Sequence, residues 1–301
     1  VKCDLCPRKC LVDRKKGEKG ICGQTENLKV ARAALHFWEE PCISGDAGSG
    51  AVFFSGCPLH CVFCQNENIA NGTVGKEISL ERLVDIFLEL QEKRANNINL
   101  VTPGHFVPQI VKALDQARKE GLTLPVVYNT SSYETVDTIK MLEGYVDIYL
   151  PDFKYMSPVL SKKYSHAPDY AEVAKAAIAE MVRQTGKAVF VNGEEDNLIL
   201  SGTIVRHLTL PGCMADSMQI LKYLHDTYGD KIYISIMNQY TPVFEQKEYT
   251  ELNRCVTRRE YEKVLDYAFE LGIENGFFQD GETARESFIP AFDYEGVRKM
   301  P

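Results

Sequence analysis

A chain of 301 residues, 45% hydrophobic and 25% charged, can bury a sizeable core and is not a disordered tail. A formal net charge of −8 argues against nucleic acid as a bulk electrostatic partner, and no apolar run reaches the roughly 18 residues of a membrane span. Ten cysteines in a chain of this length point to metal ligation in a reducing compartment rather than to a secreted disulfide scaffold, so a cytoplasmic setting in a cell that is at least sometimes anaerobic is expected. Val1-Lys2-Cys3-Asp4 carries no signal-peptide pattern, although one already removed would leave no trace.

The first segment places four thiols at Cys3-x2-Cys6-x3-Cys10-x11-Cys22. Its cations Lys2, Arg8, Lys9, Arg14, Lys15, Lys16 and Lys19 outnumber Asp4, Asp13 and Glu18 and would offset the negative charge of a tetrathiolate centre. Gly17, Gly20 and Gly23 permit the tight turns of a ligand loop. A second metal site on Cys3, Cys6, Cys10 and Cys22 is expected, with zinc, a rubredoxin-like iron or an auxiliary [4Fe–4S] cluster as its content; the alternative is free thiols, or disulfides formed in air. Val30 to Cys42 has strand-and-loop composition, and His36, Glu39 and Glu40 read as surface or core residues ahead of a site lining. Cys42 is isolated. Gly45 to Gly50 is a glycine-rich link without the Lys-Ser/Thr ending of a phosphate loop.

Ala51–Ser55 reads as a buried strand that delivers Cys57, Cys61 and Cys64 to a short loop at C-x3-C-x2-C spacing. Three thiolates can hold three irons of a [4Fe–4S] cube and leave the fourth open. A structural zinc is the alternative, but no second cysteine pair follows at zinc-ribbon distance. The motif, with the aromatic Phe63 before its last cysteine, closely resembles that of the radical S-adenosylmethionine (SAM) enzymes. That resemblance implies that Cys57, Cys61 and Cys64 hold the cluster and that the open iron takes the amino and carboxylate groups of SAM.

Strand and helix alternate from there on. Strands are predicted at Ala51–Ser55, Ile98–Thr102, Pro125–Ser131, Val146–Asp152, Thr203–Leu210 and Lys231–Met237, with a last short one at Gly276–Asp280. Ser79 is placed as the cap of the helix through Leu88, Gly121 as the stop of the helix after the second strand, and Gly272 as the stop of the last helix. Capping boxes are read at Ser131-x-x-Glu134, opening a helix through Leu142, and at Thr257-x-x-Glu260. Further helices are expected over about Tyr170–Gln184 and Asp216–His225, with a hairpin around Gly193-Glu194-Glu195-Asp196-Asn197. Repeated β-α units with apolar strands give an α/β fold with a parallel sheet and helices outside. This matches the partial (β/α)6 radical SAM barrel, preceded by a small N-terminal cysteine-rich metal-binding segment. The division expected is 1–50 for that segment and linker and 51–301 for the barrel with a C-terminal extension.

In such a barrel the reactive face lies at the C-terminal strand ends. The second strand ends Thr102-Pro103-Gly104-His105, where radical SAM enzymes often carry Gly-Gly-Glu; Gly104 could still give close backbone approach to SAM, with His105 standing in place of the Glu. Asn129 and Ser131 end the third strand with groups suited to a ribose or carboxylate, Ser131 also competing as a helix cap. Asp152-Phe153-Lys154 and Arg206-His207-Leu208-Thr209-Leu210-Pro211-Gly212 resemble the Asp-x-Lys and Arg-x4-Pro-Gly stretches of the pyruvate formate-lyase activating enzyme. The resemblance implies that Lys154 approaches SAM, and a fixed Arg206 guanidinium suits its carboxylate. His207 must face the other way from Arg206. The strand ends Met237 to Pro242 and Gln279-Asp280 are candidates for substrate contact. With Cys3-x2-Cys6-Pro7-Arg8-Lys9-Cys10 and His36-Phe37-Trp38-Glu39-Glu40-Pro41, the chain is similar to the PflX-like branch of activating-enzyme homologues.

The resemblance implies reductive SAM cleavage to a 5′-deoxyadenosyl radical that takes hydrogen from a substrate, fed by a flavodoxin- or ferredoxin-like donor. The substrate expected is a glycyl residue of a partner protein; the alternatives are a small molecule or peptide, or a non-catalytic iron–sulfur or zinc protein. Neither nucleic acid nor membrane is expected as a partner.

Overall fold

The computed structural model describes residues 2–193, 197–279 and 290–298. Its strands are β1 (Lys29–His36), β2 (Ser49–Phe54), β3 (Lys76–Glu77), β4 (Ile98–Val101), β5 (Val126–Thr130), β6 (Ile148–Pro151), β7 (Val189–Phe190), β8 (Ile199–Leu208), β9 (Tyr233–Met237) and β10 (Gly276–Phe278). The helices are α1 (Pro41–Ser44), α2 (Glu67–Ala70), α3 (Leu80–Glu92), α4 (Val107–Lys119), α5 (Val136–Lys140), α6 (Pro158–Ser165), α7 (Tyr170–Thr185), α8 (Met214–Tyr228) and α9 (Arg258–Glu270).

Strands β2, β4, β5, β6, β8, β9 and β10 run parallel in that spatial order. Every residue of β2, β4, β5, β6 and β9 is buried, as strands covered on both faces require. The α/β architecture of a partial barrel is therefore present. Two features extend it: β1 pairs antiparallel with β2 and carries β3 at its outer edge, so residues before 51 belong to the same sheet.

The helices form where their caps and apolar stripes allow. The Ser79 side chain accepts the Arg82 amide and opens α3, whose Leu83, Val84, Ile86, Phe87 and Leu90 are buried. Gly121 at φ 105° follows α4, and Gly272 at φ 79° follows α9. Thr257 and Glu260 form the reciprocal capping box of α9. The Ser131–Glu134 box is not formed. Ser132 sits at φ 62°, Glu134 turns inward to accept from Thr130 and Tyr128, and Thr135 caps the shorter α5. Helix α6, which lies in the excursion after β6, has no counterpart among the predicted elements. The arms of the predicted hairpin appear as β7 and β8, while Glu194–Asp196 and Asp280 lie outside the described residues.

Two apolar clusters position the site. One, with Phe54, Phe87, Leu100, Ile110, Tyr128 and Tyr149, joins α3 and α4 to the sheet. The other packs Leu59 and Phe63 of the cysteine loop against Tyr155, Tyr164, Tyr170 and Tyr240. No helix of the described residues is long and apolar enough to cross a membrane.

Candidate active site

A cavity of about 1310 Å³ runs through the barrel, and Cys57, Cys61, Cys64 and Phe63 all line it. The loop that brings them there is fixed by backbone contacts. Gly56 adopts φ 90°, and a Cβ there would stand 2.5 Å from the Cys22 carbonyl, so only glycine fits. The Gly56 amide donates to the Ile69 carbonyl at 2.7 Å and the Val62 amide to the Tyr164 carbonyl at 2.9 Å. Phe63 makes edge contacts with Tyr155, Tyr164 and Tyr240 at 6.5, 6.3 and 6.0 Å between centroids. Its ring therefore anchors the loop as well as lining the cavity.

The Cys57 thiol accepts the Leu59 amide at 3.5 Å, and the Cys61 thiol accepts the Ser165 hydroxyl at 3.1 Å. Burial, then the neighbouring thiols, push Cys57 up to about 11 and Cys64 to about 12, with Lys154 acting in the opposite sense. Buried thiols of this kind ionise only when a cation binds them. Among the described residues no three His, Cys, Asp or Glu side chains surround one metal-ion position. A cube with three separate irons does not ask its thiolates to converge on one atom, so the donor set fits a cluster better than a single ion.

Across the cavity, Arg206 holds three partners. Its Nε donates to Asp152 Oδ1 at 3.0 Å, Nη1 to Glu39 Oε2 at 3.0 Å and Nη2 to Asn129 Oδ1 at 2.7 Å. Asn129 in turn donates to Glu39 Oε1 at 3.2 Å, and Asn99 to the same oxygen at 3.1 Å. Lys154 Nζ donates to the second oxygen of Asp152 at 2.7 Å. Burial would raise the Asp152 pKa, but Lys154 and Arg206 more than offset it and hold the carboxyl below its ordinary range. Burial would lower Lys154, and Asp152 above all, with the nearby Cys61 sulfur, reverses this and raises it. Glu40 is buried beside Ser235 and its pKa is raised by that burial. Glu39 and Asp152 each pair with Arg206, and Asp152 also with Lys154, and such close opposite charges make an interior charge cluster sustainable.

The structure thus brings Asn129, Asp152, Lys154 and Arg206 onto one wall opposite the cysteine loop. It commits the Arg206 fork and the Asn129 amide to protein partners. Lys154 is the cation whose field reaches the thiols, and Thr102, Ser131 and Gln239 also line the cavity. Gly104 lies behind the wall, where a Cβ would stand 2.4 Å from the Glu134 carboxylate. His105 is buried, with Nε2 2.7 Å from the Ser55 carbonyl at the start of the cysteine loop. His207 faces outward: a carbonyl only accepts, so its Nδ1 donates to Phe153 at 2.7 Å, and Nε2 meets the Ser217 hydroxyl at 2.8 Å. His36, Glu39 and Glu40, for which composition favours a surface or core role over a site lining, all line the cavity, and Glu39 is tied into its wall by Arg206. Strand β1 runs antiparallel, so its end leads into the barrel from the N-terminal side.

Residues 51–198 match the model of the Radical SAM superfamily. The chain is 28% identical over 278 residues to uncharacterized protein MJ0674 of Methanocaldococcus jannaschii, covering 90% of this chain and 75% of that protein. Streptococcus suis SuiB bound to S-adenosylmethionine shares the fold, with TM-score 0.51 and 14% identity over 75% of this chain and 49% of that one. SuiB bound to the precursor peptide SuiA gives TM-score 0.50 and 13% identity over 75% and 47%. The chain spans about half the length of these SuiB structures.

Proposed function

We propose that the protein, whose residues 51–198 match the Radical SAM superfamily model, is a radical SAM enzyme whose substrate is a glycyl residue of a partner protein, a reading supported by the likeness of Asp152-Phe153-Lys154 and Arg206 to Gly212 to stretches of the pyruvate formate-lyase activating enzyme. The observation that carries the catalytic part is the loop of Cys57, Cys61 and Cys64 lining the same cavity as Lys154. When bound there, a [4Fe–4S] cluster supplies one electron that cleaves SAM to methionine and a 5′-deoxyadenosyl radical able to take a hydrogen atom.

The chain's own residues do the rest. Cys57, Cys61 and Cys64 would hold three irons. Lys154 offers an ammonium to an anionic group of SAM beside the thiols, while Asp152 keeps that ammonium charged and aimed. Arg206 acts through Asp152, Asn129 and Glu39 as a positioning residue, because its fork is already filled. Phe63 and the surrounding tyrosines keep the loop rigid and dry. A low-potential one-electron protein of the flavodoxin or ferredoxin kind is the donor proposed, in a reducing cytoplasmic setting consistent with ten free thiols.

The test is anaerobic reconstitution followed by electron paramagnetic resonance of the reduced protein. About four irons should be lost in the triple Cys57→Ala, Cys61→Ala, Cys64→Ala variant. Adding SAM to the parent should shift the cluster signal; an unshifted signal would remove the open-iron reading.

A further inference from the structure

Residues 2–22 carry seven lysines and arginines against three acids, in a chain whose net charge is −8. The segment is therefore a basic island, and the rest of the chain is more acidic still. The two arginines are spent on the protein: Arg14 is buried and donates to the Thr25 and His105 carbonyls, and Arg8 donates to the Pro58 and Ser165 carbonyls. Lys2, Lys9, Lys15, Lys16 and Lys19 are exposed.

The lysines adjoin an apolar pair. The Cys3 amide donates to the Val12 carbonyl at 2.9 Å, and the Leu11 amide returns to the Cys3 carbonyl at 3.0 Å. The Ile21 amide donates to Cys10 Sγ at 3.3 Å, and a Cβ on Gly20 would stand 2.9 Å from that sulfur and 3.6 Å from Val12. Three passes of the chain thus lie together, and Leu11 and Ile21, on two of them, are half exposed. Lys2, Lys9 and Lys19 immediately precede Cys3, Cys10 and Gly20, while Lys15 and Lys16 sit in the loop that joins Val12 to Lys19. Exposed apolar residues with a charged rim have the anatomy of a protein-binding surface. The segment's thiols, Cys3, Cys6, Cys10 and Cys22, do not surround one metal-ion position among the described residues.

This surface lies against the back of the cysteine loop. The Ile21 carbonyl meets the ring of His60, between Cys57 and Cys61, at 2.7 Å. The next carbonyl, that of Cys22, is the atom that forbids a side chain at Gly56. Arg8 reaches Pro58 at 2.9 Å, and Arg14 reaches His105, whose ring contacts Ser55. Among the described residues none from 2 to 28 lines the cavity. A substrate docked here would not present a C–H bond to the site, whereas an electron donor needs only to come close to the loop.

We propose that residues 2–22 are the docking surface of the electron donor, a small acidic one-electron carrier protein that seats on Leu11 and Ile21 among the lysines. The inference rests on the radical SAM reading of the neighbouring loop. One electron leaves the reduced carrier and enters the cluster that Cys57, Cys61 and Cys64 would hold; no atom moves with it. The more acidic remainder of the chain repels such a carrier, and the basic segment draws it to the one face that backs the loop.

The test compares two reductants on the reconstituted chain: a reduced acidic flavodoxin, and dithionite, which needs no docking. Cluster reduction is followed by absorbance. With Lys9→Glu, Lys15→Glu, Lys16→Glu and Lys19→Glu combined, reduction by flavodoxin should slow about 10- to 100-fold while dithionite acts at close to the parent rate. Added salt should slow the flavodoxin reaction of the parent. Oxidised flavodoxin should bind the parent in calorimetry at low salt and lose that binding in the lysine variant, a reading that needs no SAM chemistry. Leu11→Ser with Ile21→Ser should weaken binding and keep its salt dependence. Lys119→Glu with Lys140→Glu, exposed on α4 and α5, should change nothing. Flavodoxin reduction that is as fast in the lysine variant as in the parent, or indifferent to salt, would overturn the surface. Equal slowing with both reductants would assign the lysines to the fold and overturn the docking role. Lysine-dependent binding of a single-stranded DNA oligonucleotide, with flavodoxin reduction unchanged, would overturn it in favour of nucleic acid. Lysine-dependent reduction by flavodoxin without SAM cleavage would leave the surface standing and remove the catalytic reading.

Discussion

Asp152 Oδ1 accepts Arg206 Nε at 3.0 Å across the adjacent strands β6 and β8. The remaining donors of Arg206 go to Glu39 and Asn129, so one guanidinium ties together three strand ends and the segment that enters from below. Removing it would leave the Glu39 and Asp152 carboxylates facing each other without their shared cation. Arg206→Ala should cost about 3–5 kcal/mol of stability, read from the denaturation midpoint. Arg206→Lys should recover only part, because a compact ammonium on a flexible stem lacks the rigid planar fork that reaches Asp152, Glu39 and Asn129 together. Asp152 titrates below its ordinary range, so its contribution is present above the unfolded carboxylate pKa and is lost on acidification through the lower folded one.

Lys154 tests the division between positioning and binding. Lys154→Met leaves Asp152 paired with Arg206, so the fold should survive. Loss of a charge-assisted contact to SAM should raise its KM, or lower 5′-deoxyadenosine formation, by about 10- to 100-fold. An unchanged rate and KM would remove Lys154 from the SAM site.

Glu134 gives a pH-dependent stability. Burial raises its pKa to about 7, only partly opposed by hydrogen bonds from Thr130 and Tyr128. The folded state therefore keeps a proton that the unfolded state has lost above its ordinary carboxylate pKa. Stability from this group falls as pH rises through the window up to about 7, by about 3 kcal/mol in all. Glu134→Gln, which keeps an acceptor for both hydroxyls, should raise Tm at pH 8 and change it little at pH 5. Equal shifts at both pH values would contradict the assignment.

Gly104 has a steric rather than a conformational constraint, since its φ is not positive. Gly104→Ala would drive a methyl group into the Glu134 carboxylate and should destabilise by about 1–3 kcal/mol in thermal unfolding. If the variant is as stable as its parent while SAM affinity falls, Gly104 has the backbone role toward SAM that its place in the sequence suggests.

How much was legible depends on how local each signal is. Cys57, Cys61 and Cys64 lie within eight residues after an apolar strand, and the parallel strands announce themselves as buried runs between capped helices. Glu39 could not be read this way. Its partners Asn99, Asn129 and Arg206 lie 60, 90 and 167 residues along the chain, and they meet it only because β1 runs antiparallel. Ser131-x-x-Glu134 shows the opposite failure. The string fits a capping box, but a left-handed Ser132 and two buried hydroxyls draw Glu134 inward, and the cap moves to Thr135.

The central claim is that the loop of Cys57, Cys61 and Cys64 supports reductive cleavage of SAM. The direct measurement is 5′-deoxyadenosine released by the anaerobically reconstituted, reduced chain, with iron and sulfide counted on the same sample. The account predicts its formation by the parent and its loss in Cys61→Ala. A fully assembled cluster that cleaves no SAM under a competent low-potential reductant, or a Cys61→Ala variant that still cleaves it, would contradict the account.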